Sequence, residues 1–86
     1  MPTFSEWWTW DLSFTSHAEL RMEQRGVTEV EVRAMLEKAT AFDPSVVEGR
    51  FMVHARYQGH PWIAIVEPDA DAKLLVVVTV YQVSND

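Results

Sequence analysis

His17, Arg21 and Arg25 stand four residues apart in the stretch Phe14-Thr-Ser-His-Ala-Glu-Leu-Arg-Met-Glu-Gln-Arg-Gly26, and side chains at that spacing share one face of a helix. On a helical wheel the three fall within about an 80° arc, beside Ala18 and Met22, so the stripe borders the face that such a helix would bury. An imidazole and two guanidiniums side by side repel when charged. They call for a carboxylate, a sheet edge or an anionic ligand opposite them. A second group, Arg50, His54 and Arg56, alternates with Phe51, Val53, Ala55 and Tyr57, which gives a strand with one apolar face and one face carrying two arginines and a histidine. Thr79 and Tyr81 share a face of the last apolar run, and His60 lies in a turn.

These residue types suit one chemistry in particular. Cleaving RNA without a metal needs a base for the 2′-hydroxyl, an acid for the leaving 5′-oxygen and cations for the crowded phosphate of the transition state. Histidines titrate near neutral pH and can move the protons. Arginines clamp phosphate with paired donors. On this reading His17, Arg21, His54, Arg56 and Tyr81 are the candidate catalytic residues, and Arg25, Arg50 and Thr79 would hold substrate. Each also has a plainer role: His17 could cap or bond the first strand, Arg21 could pair with Glu48 or Glu67, and Arg25 suits the negative end of a helix dipole. Arg50, His54 and Arg56 could make an ordinary solvated sheet face, while Thr79 and Tyr81 are good strand formers.

Other chemistries lack their signatures. The three histidines have no metal-ligand spacing, there is no cysteine, and neither a Gly-rich phosphate loop nor a Ser or Cys nucleophile motif occurs. No metal and no cofactor is implied.

The elements that must position these residues follow from periodicity. Trp8, Trp10, Leu12 and Phe14 alternate with polar residues and predict a first strand. Thr15 or Ser16 offers an N-cap and Gly26 a left-handed C-terminal stop, bracketing a helix over 17–25. Thr28 and Glu31 form a capping box, Val27 and Val32 a hydrophobic staple, and Val32, Met35, Leu36 and Ala39 an apolar stripe for a second helix ending near Lys38 to Thr40. Asp43-Pro44 reads as a turn. The β pattern runs from Val46 to Tyr57, turns at Gln58-Gly59-His60-Pro61, resumes over Trp62–Glu67, turns again at 68–73 and ends in Leu74–Tyr81, a β-branched run of the kind found in doubly covered strands. The expected fold is α+β, in the order β-α-α-β-β-β, with two helices on a mostly antiparallel sheet.

Eighty-six residues suit a single domain over 1–86, whose modest size limits how much surface it can bury. The absence of cysteine fits a reducing cytoplasm, and no apolar run is long enough to span a bilayer. A formal net charge of −6 argues against non-specific binding to nucleic acid or an anionic membrane. Phe4 and Trp7 fall outside the alternation of the first strand and suggest a partner surface. They would serve a homodimer or a basic protein partner, or simply cover one end of the core.

Phe14-Thr-Ser-His17-Ala18, Arg21-Met22, Arg25-Gly26-Val27-Thr28, Gly59 and the terminal Val76-Val-Val-Thr79-Val-Tyr81 together resemble a family of small bacterial proteins of unknown function with an HA-xx-RM-xx-RG signature. The resemblance covers most of the chain from Phe14 to Tyr81. Its element order is similar to that of the RelE, ParE and BrnT toxins, which implies an antitoxin as partner and metal-independent endoribonuclease activity on RNA. Two features depart from those toxins: this chain is acidic, and it lacks a basic C-terminal segment. The alternative is a non-catalytic interaction or regulatory module on the same architecture.

Overall fold

A computed structural model describes residues 9–83. Its elements in chain order are β1 (Asp11–Phe14), α1 (Ser16–Arg25), α2 (Glu29–Glu37), β2 (Ala41–Pro44), β3 (Phe51–Tyr57), β4 (His60–Asp69) and β5 (Leu74–Gln82). They form a five-stranded sheet ordered β1-β5-β4-β3-β2, antiparallel throughout except where β1 runs parallel to β5. Both helices pack on one face of it. The α+β class and the mostly antiparallel sheet match the sequence expectation, but the order is β-α-α-β-β-β-β, one strand more.

The extra strand is β2. Asp43 and Pro44 read as a turn, yet they pair with Met52 and Phe51. Four residues are too few for a period to show. Proline is tolerated because β2 is an edge strand, where its missing N–H interrupts no ladder. Hydrogen bonds from Thr40 N to His54 O and from Ser45 N to Arg50 O extend the pairing at both ends. β1 begins only at Asp11, with Trp10 in a bend ahead of it; Trp8, which opened the expected alternation, lies outside the described residues. β3 begins only at Phe51, and β4 starts as early as His60, because Gln58 and Gly59 alone make the hairpin turn. Both have positive φ, 52° and 80°, the primed-turn geometry whose twist matches that of the flanking strands.

The helices obey their local signals. Thr15 caps α1 by accepting Ala18 N–H at 3.0 Å, and Gly26 ends it at φ 71°, with Val27 N bonding Met22 O across the stop. The capping box of α2 is complete in both directions. Val27 and Val32, the staple pair, are both buried.

The core lies between the helices and one sheet face. Ala18, Met22, Val32, Met35 and Leu36 from the helices meet Val53, Ala55, Trp62, Ala64, Val66, Leu75, Val77 and Val80 from the strands. β5 is therefore covered on one face only, not on two as its β-branched run suggested. Between Ile65/Val66 and Thr79/Val77 the register slips, leaving Val78 as the extra residue of a β-bulge. The carbonyl of Val78 accepts the Thr15 hydroxyl at 2.9 Å, and the carbonyl of Val77 accepts Thr15 N–H at 3.1 Å. One threonine thus ends β1, caps α1 and ties both to β5. Among the described residues no helix is long and apolar enough to cross a membrane.

Candidate functional site

Strand alternation sorts the candidate residues onto two layers. With Val53, Ala55 and Tyr57 pointing to the helices, Met52, His54 and Arg56 point to the other face, which carries no helix. The register continues this uncovered face across the sheet. His54 stands opposite Ile63, and Ile63 opposite Tyr81; Met52 stands opposite Ile65, and Ile65 opposite Thr79. Further along, Glu67, Val76 and Ser13 form one cross-strand row, and Asp69, Leu74 and Asp11 the next. Met52, Ile63, Ile65, Leu74 and Val76 are half-buried, and among the described residues no second layer covers them.

Three polar arrangements frame this apolar strip. His54 Nε2 lies 2.9 Å from Asp43 Oδ2, so the carboxylate orients the imidazole ring. Arg50 Nε donates to Glu67 Oε1 at 2.9 Å, an ion pair whose side chains are 36% and 48% exposed. Arg56 Nη2 donates to the carbonyl of Gly59 at 3.0 Å, which holds the exposed guanidinium back along its own hairpin. Tyr81 is two strand spacings from His54, roughly 10 Å between backbones, with Ile63 between them.

The helix stripe belongs to the other layer. His17, Arg21 and Arg25 are all exposed on α1. Arg21 Nη1 reaches Gln24 Oε1 at 3.5 Å, and Arg25 occupies the last turn of the helix, where its charge suits the dipole. His17 follows Thr15 by two residues, so it starts beside the bulged segment of β5 that leads to Thr79. Neither Glu48 nor Glu67 pairs with Arg21; the partner of Glu67 is Arg50. His60 is exposed at the start of β4. Phe4 and Trp7, the expected partner surface, lie outside the described residues. The eight candidate catalytic and substrate-binding residues therefore do not converge: His54, Arg56, Thr79 and Tyr81 share the uncovered face, Arg50 reaches that face to pair with Glu67, and the α1 stripe stands apart.

A family model described as a domain of unknown function, DUF4258, matches residues 14–82. The chain belongs to this family. The match begins at Phe14 and ends at Gln82, so this DUF4258 domain includes both helices, the Thr15 tie and four of the five strands in full. No curated protein and no solved structure matches the chain.

Sequence reasoning missed two contributors to this candidate site of the DUF4258 domain. Asp43 was assigned to a turn, and only the pairing of β2 with β3 brings it to His54. The apolar strip was missed because Leu74 and Val76 belong to a run expected to be covered on both faces, and Ile63 and Ile65 were assigned to a strand without a face. One signal was available: Trp62 to Val66 and Leu74 to Val78 are apolar at nearly every position, so a sheet with helices on one face must leave half of those side chains on the other. A groove of about 290 Å³ opens elsewhere, between β1 and α2, lined by Trp10, Leu12, Arg33, Leu36 and Leu75 among others, with Asp11 at its edge. None of the candidate residues lines it. Among the described residues no group of His, Asp or Glu could hold a metal ion.

Proposed function

We propose that this domain is a protein-interaction module that receives its partner on the uncovered face of the sheet. The observation that carries this reading is the strip Met52, Ile63, Ile65, Leu74 and Val76, set inside a polar rim of His54, Arg50, Glu67, Thr79 and Tyr81. An apolar centre inside a polar rim is how protein interfaces are built, and a contiguous apolar patch on a soluble domain marks a surface that meets something. The net charge of −6 fits a protein partner better than a phosphate backbone, and the Arg50 charge is already met by Glu67. The test is co-purification of the tagged full chain with its partner, compared with Ile65→Lys. A stoichiometric complex lost in Ile65→Lys, with the circular dichroism spectrum unchanged, is expected. A complex that survives the substitution removes this face from the reading.

A second reading rests on a different observation, the Asp43-oriented His54 in one row with Tyr81 and beside Arg56. It is that of a toxin-like protein of RelE-type architecture acting as a metal-independent endoribonuclease, with an antitoxin as partner. His54 would exchange the proton of the 2′-hydroxyl, Tyr81 would hydrogen-bond the leaving group and Arg56 would meet the phosphate. Tight induction in a bacterial host separates the two readings. Growth arrest with RNA cleavage, both abolished by His54→Ala, would establish the nuclease; normal growth with intact RNA would sink it.

A further inference from the structure

We infer that the occupant of the uncovered face is a basic, amphipathic polypeptide segment, with apolar side chains on Met52, Ile65 and Val76 and cations against Asp11 and Asp69. The inference rests on the interaction reading above and specifies the chemistry of the partner.

Charge and apolar surface are arranged together on this face. Across the strands, Asp69 and Asp11 stand on either side of Leu74, and the adjacent row sets Glu67 next to Val76. Carboxylates thus border the apolar strip at the end of the sheet where β4 passes into β5. Neither Asp11 nor Asp69 has an ion-pair partner among the described residues, whose two ion pairs are Arg50–Glu67 and His54–Asp43. The nearby Lys73 places its ammonium over the ring of Trp10, 5.7 Å from the centroid. Asp69 Oδ1 accepts the N–H groups of Asp71 and Ala72, which fixes that carboxylate while leaving its charge uncompensated. On the whole face Asp11, Asp43, Glu67 and Asp69 outnumber Arg50 and Arg56. The local excess therefore has the same sign as the net charge of −6.

That sign selects among occupants. A second copy would bring the same acidic end and another −6, and RNA would bring phosphates; both meet like charge, which costs affinity and slows encounter. A partner with cations interleaved among apolar side chains meets complementary surface along the whole strip. The span from Ile63 to Asp69 along β4 is about 20 Å, the length of roughly seven residues of extended chain or about 13 of helix. The strip is thus matched to one secondary-structure element rather than to a small molecule.

The experiment titrates isotope-labelled full chain with three synthetic peptides of about 14 residues: an amphipathic Leu/Lys sequence, its Leu/Glu counterpart and a Lys/Ser sequence of equal charge. The Leu/Lys peptide is expected to shift the amides of Ile65, Leu74 and Val76, to weaken with salt, and to lose about tenfold or more in affinity in both Ile65→Ser and the Asp11→Asn, Asp69→Asn double variant. Equal binding of the Leu/Glu peptide, equal binding of the Lys/Ser peptide, or shifts confined to the groove beside Trp10 and Leu36 would each overturn the inference. So would the absence of any shift up to millimolar peptide. Sedimentation of the free chain as a dimer that Ile65→Lys dissociates would also overturn it, while leaving the docking role of this face intact. Loss of that role itself shows separately, as a cellular complex indifferent to Ile65→Lys.

Discussion

The two faces of this sheet are built from the same strands, yet they have been given different work. On the covered face Val53, Val66, Leu75, Val77 and Val80 are essentially sealed, each at 2% exposure or less, against methionines and β-branched residues of the helices. On the uncovered face Met52, Ile63, Ile65, Leu74 and Val76 are equally apolar but remain half-buried, interleaved with a histidine, a tyrosine and an ion pair. Antiparallel sheets with one solvated face usually alternate apolar and polar residues. Here β4 and β5 depart from that pattern. Among the described residues no element covers these apolar side chains, and that is what supports the proposal of a docking role for this face.

The largest difference in stability is expected between one substitution on each face. Leu75→Ala, on the covered side, should cost about 2–5 kcal/mol through lost burial and the cavity left behind, a large share of the roughly 5–15 kcal/mol that holds a small domain together. Ile65→Ser, on the uncovered side, should cost less, about 1–2 kcal/mol, since the half-buried side chain already meets water in part and leaves no sealed void. Urea denaturation of the two variants checks this. Equal losses would mean that the uncovered face is itself core, and the interaction reading would lose its basis.

Next in size is the residue that joins the layers. Thr15→Val removes an N-cap, worth about 1 kcal/mol, and also leaves the half-buried Val78 carbonyl without its donor, which adds roughly 1 kcal/mol or more. We expect a loss of about 2 kcal/mol, with Thr15→Ser recovering most of it because the hydroxyl is kept. If Thr15→Val is neutral in thermal melts, the bulge of β5 holds its place without α1.

How far the sequence disclosed this arrangement depended on whether the signal was local. Capping boxes, the Gly26 stop and the alternation of β3 act over a few residues, and each was legible. Thr15 was legible as a cap but not as a donor to Val78, a residue 63 positions away. The pairing of His54 with Asp43 required a strand too short to show a period. The division of the His and Arg candidates between two layers followed from the side on which the helices settle, which no single element specifies. Long apolar runs in β4 and β5 said that both faces were apolar without saying that only one would be covered.

A smaller effect is expected at the rim of the uncovered face. The Arg50–Glu67 pair is substantially exposed, so water and salt screen it and Glu67→Gln should change stability by no more than about 1 kcal/mol. Its consequence for binding should be the larger one, because the substitution leaves the Arg50 guanidinium without its counter-ion beside the strip, where it repels a basic partner. Isothermal titration with a basic amphipathic peptide beside a urea melt tests the ordering. A variant that unfolds readily but binds normally would reverse it.

The finest test falls on the covered side, at the tether between α2 and β3. The Tyr57 hydroxyl donates to Glu31 Oε2, and Glu31 also accepts Thr28 N–H at 3.0 Å. The bond from Tyr57 and then that from Thr28 hold the Glu31 carboxyl below its usual 4.5, while the same carboxylate pushes the Tyr57 phenol above its usual 10.0. A lowered carboxyl contributes stability that is present above pH 4.5 and lost as pH falls through its folded value. A raised phenol contributes stability that is present below pH 10.0 and lost as pH rises through its folded value. The tether therefore acts between those limits. Tyr57→Phe should lower the melting temperature slightly and evenly across that window, and the gap from wild type should close toward both ends. Thr28 still holds Glu31 in the variant, so part of the acid dependence should survive while the alkaline limb disappears. A gap that stayed constant into acid and alkali would mean that the phenol acts by packing on the helix and not through its hydrogen bond.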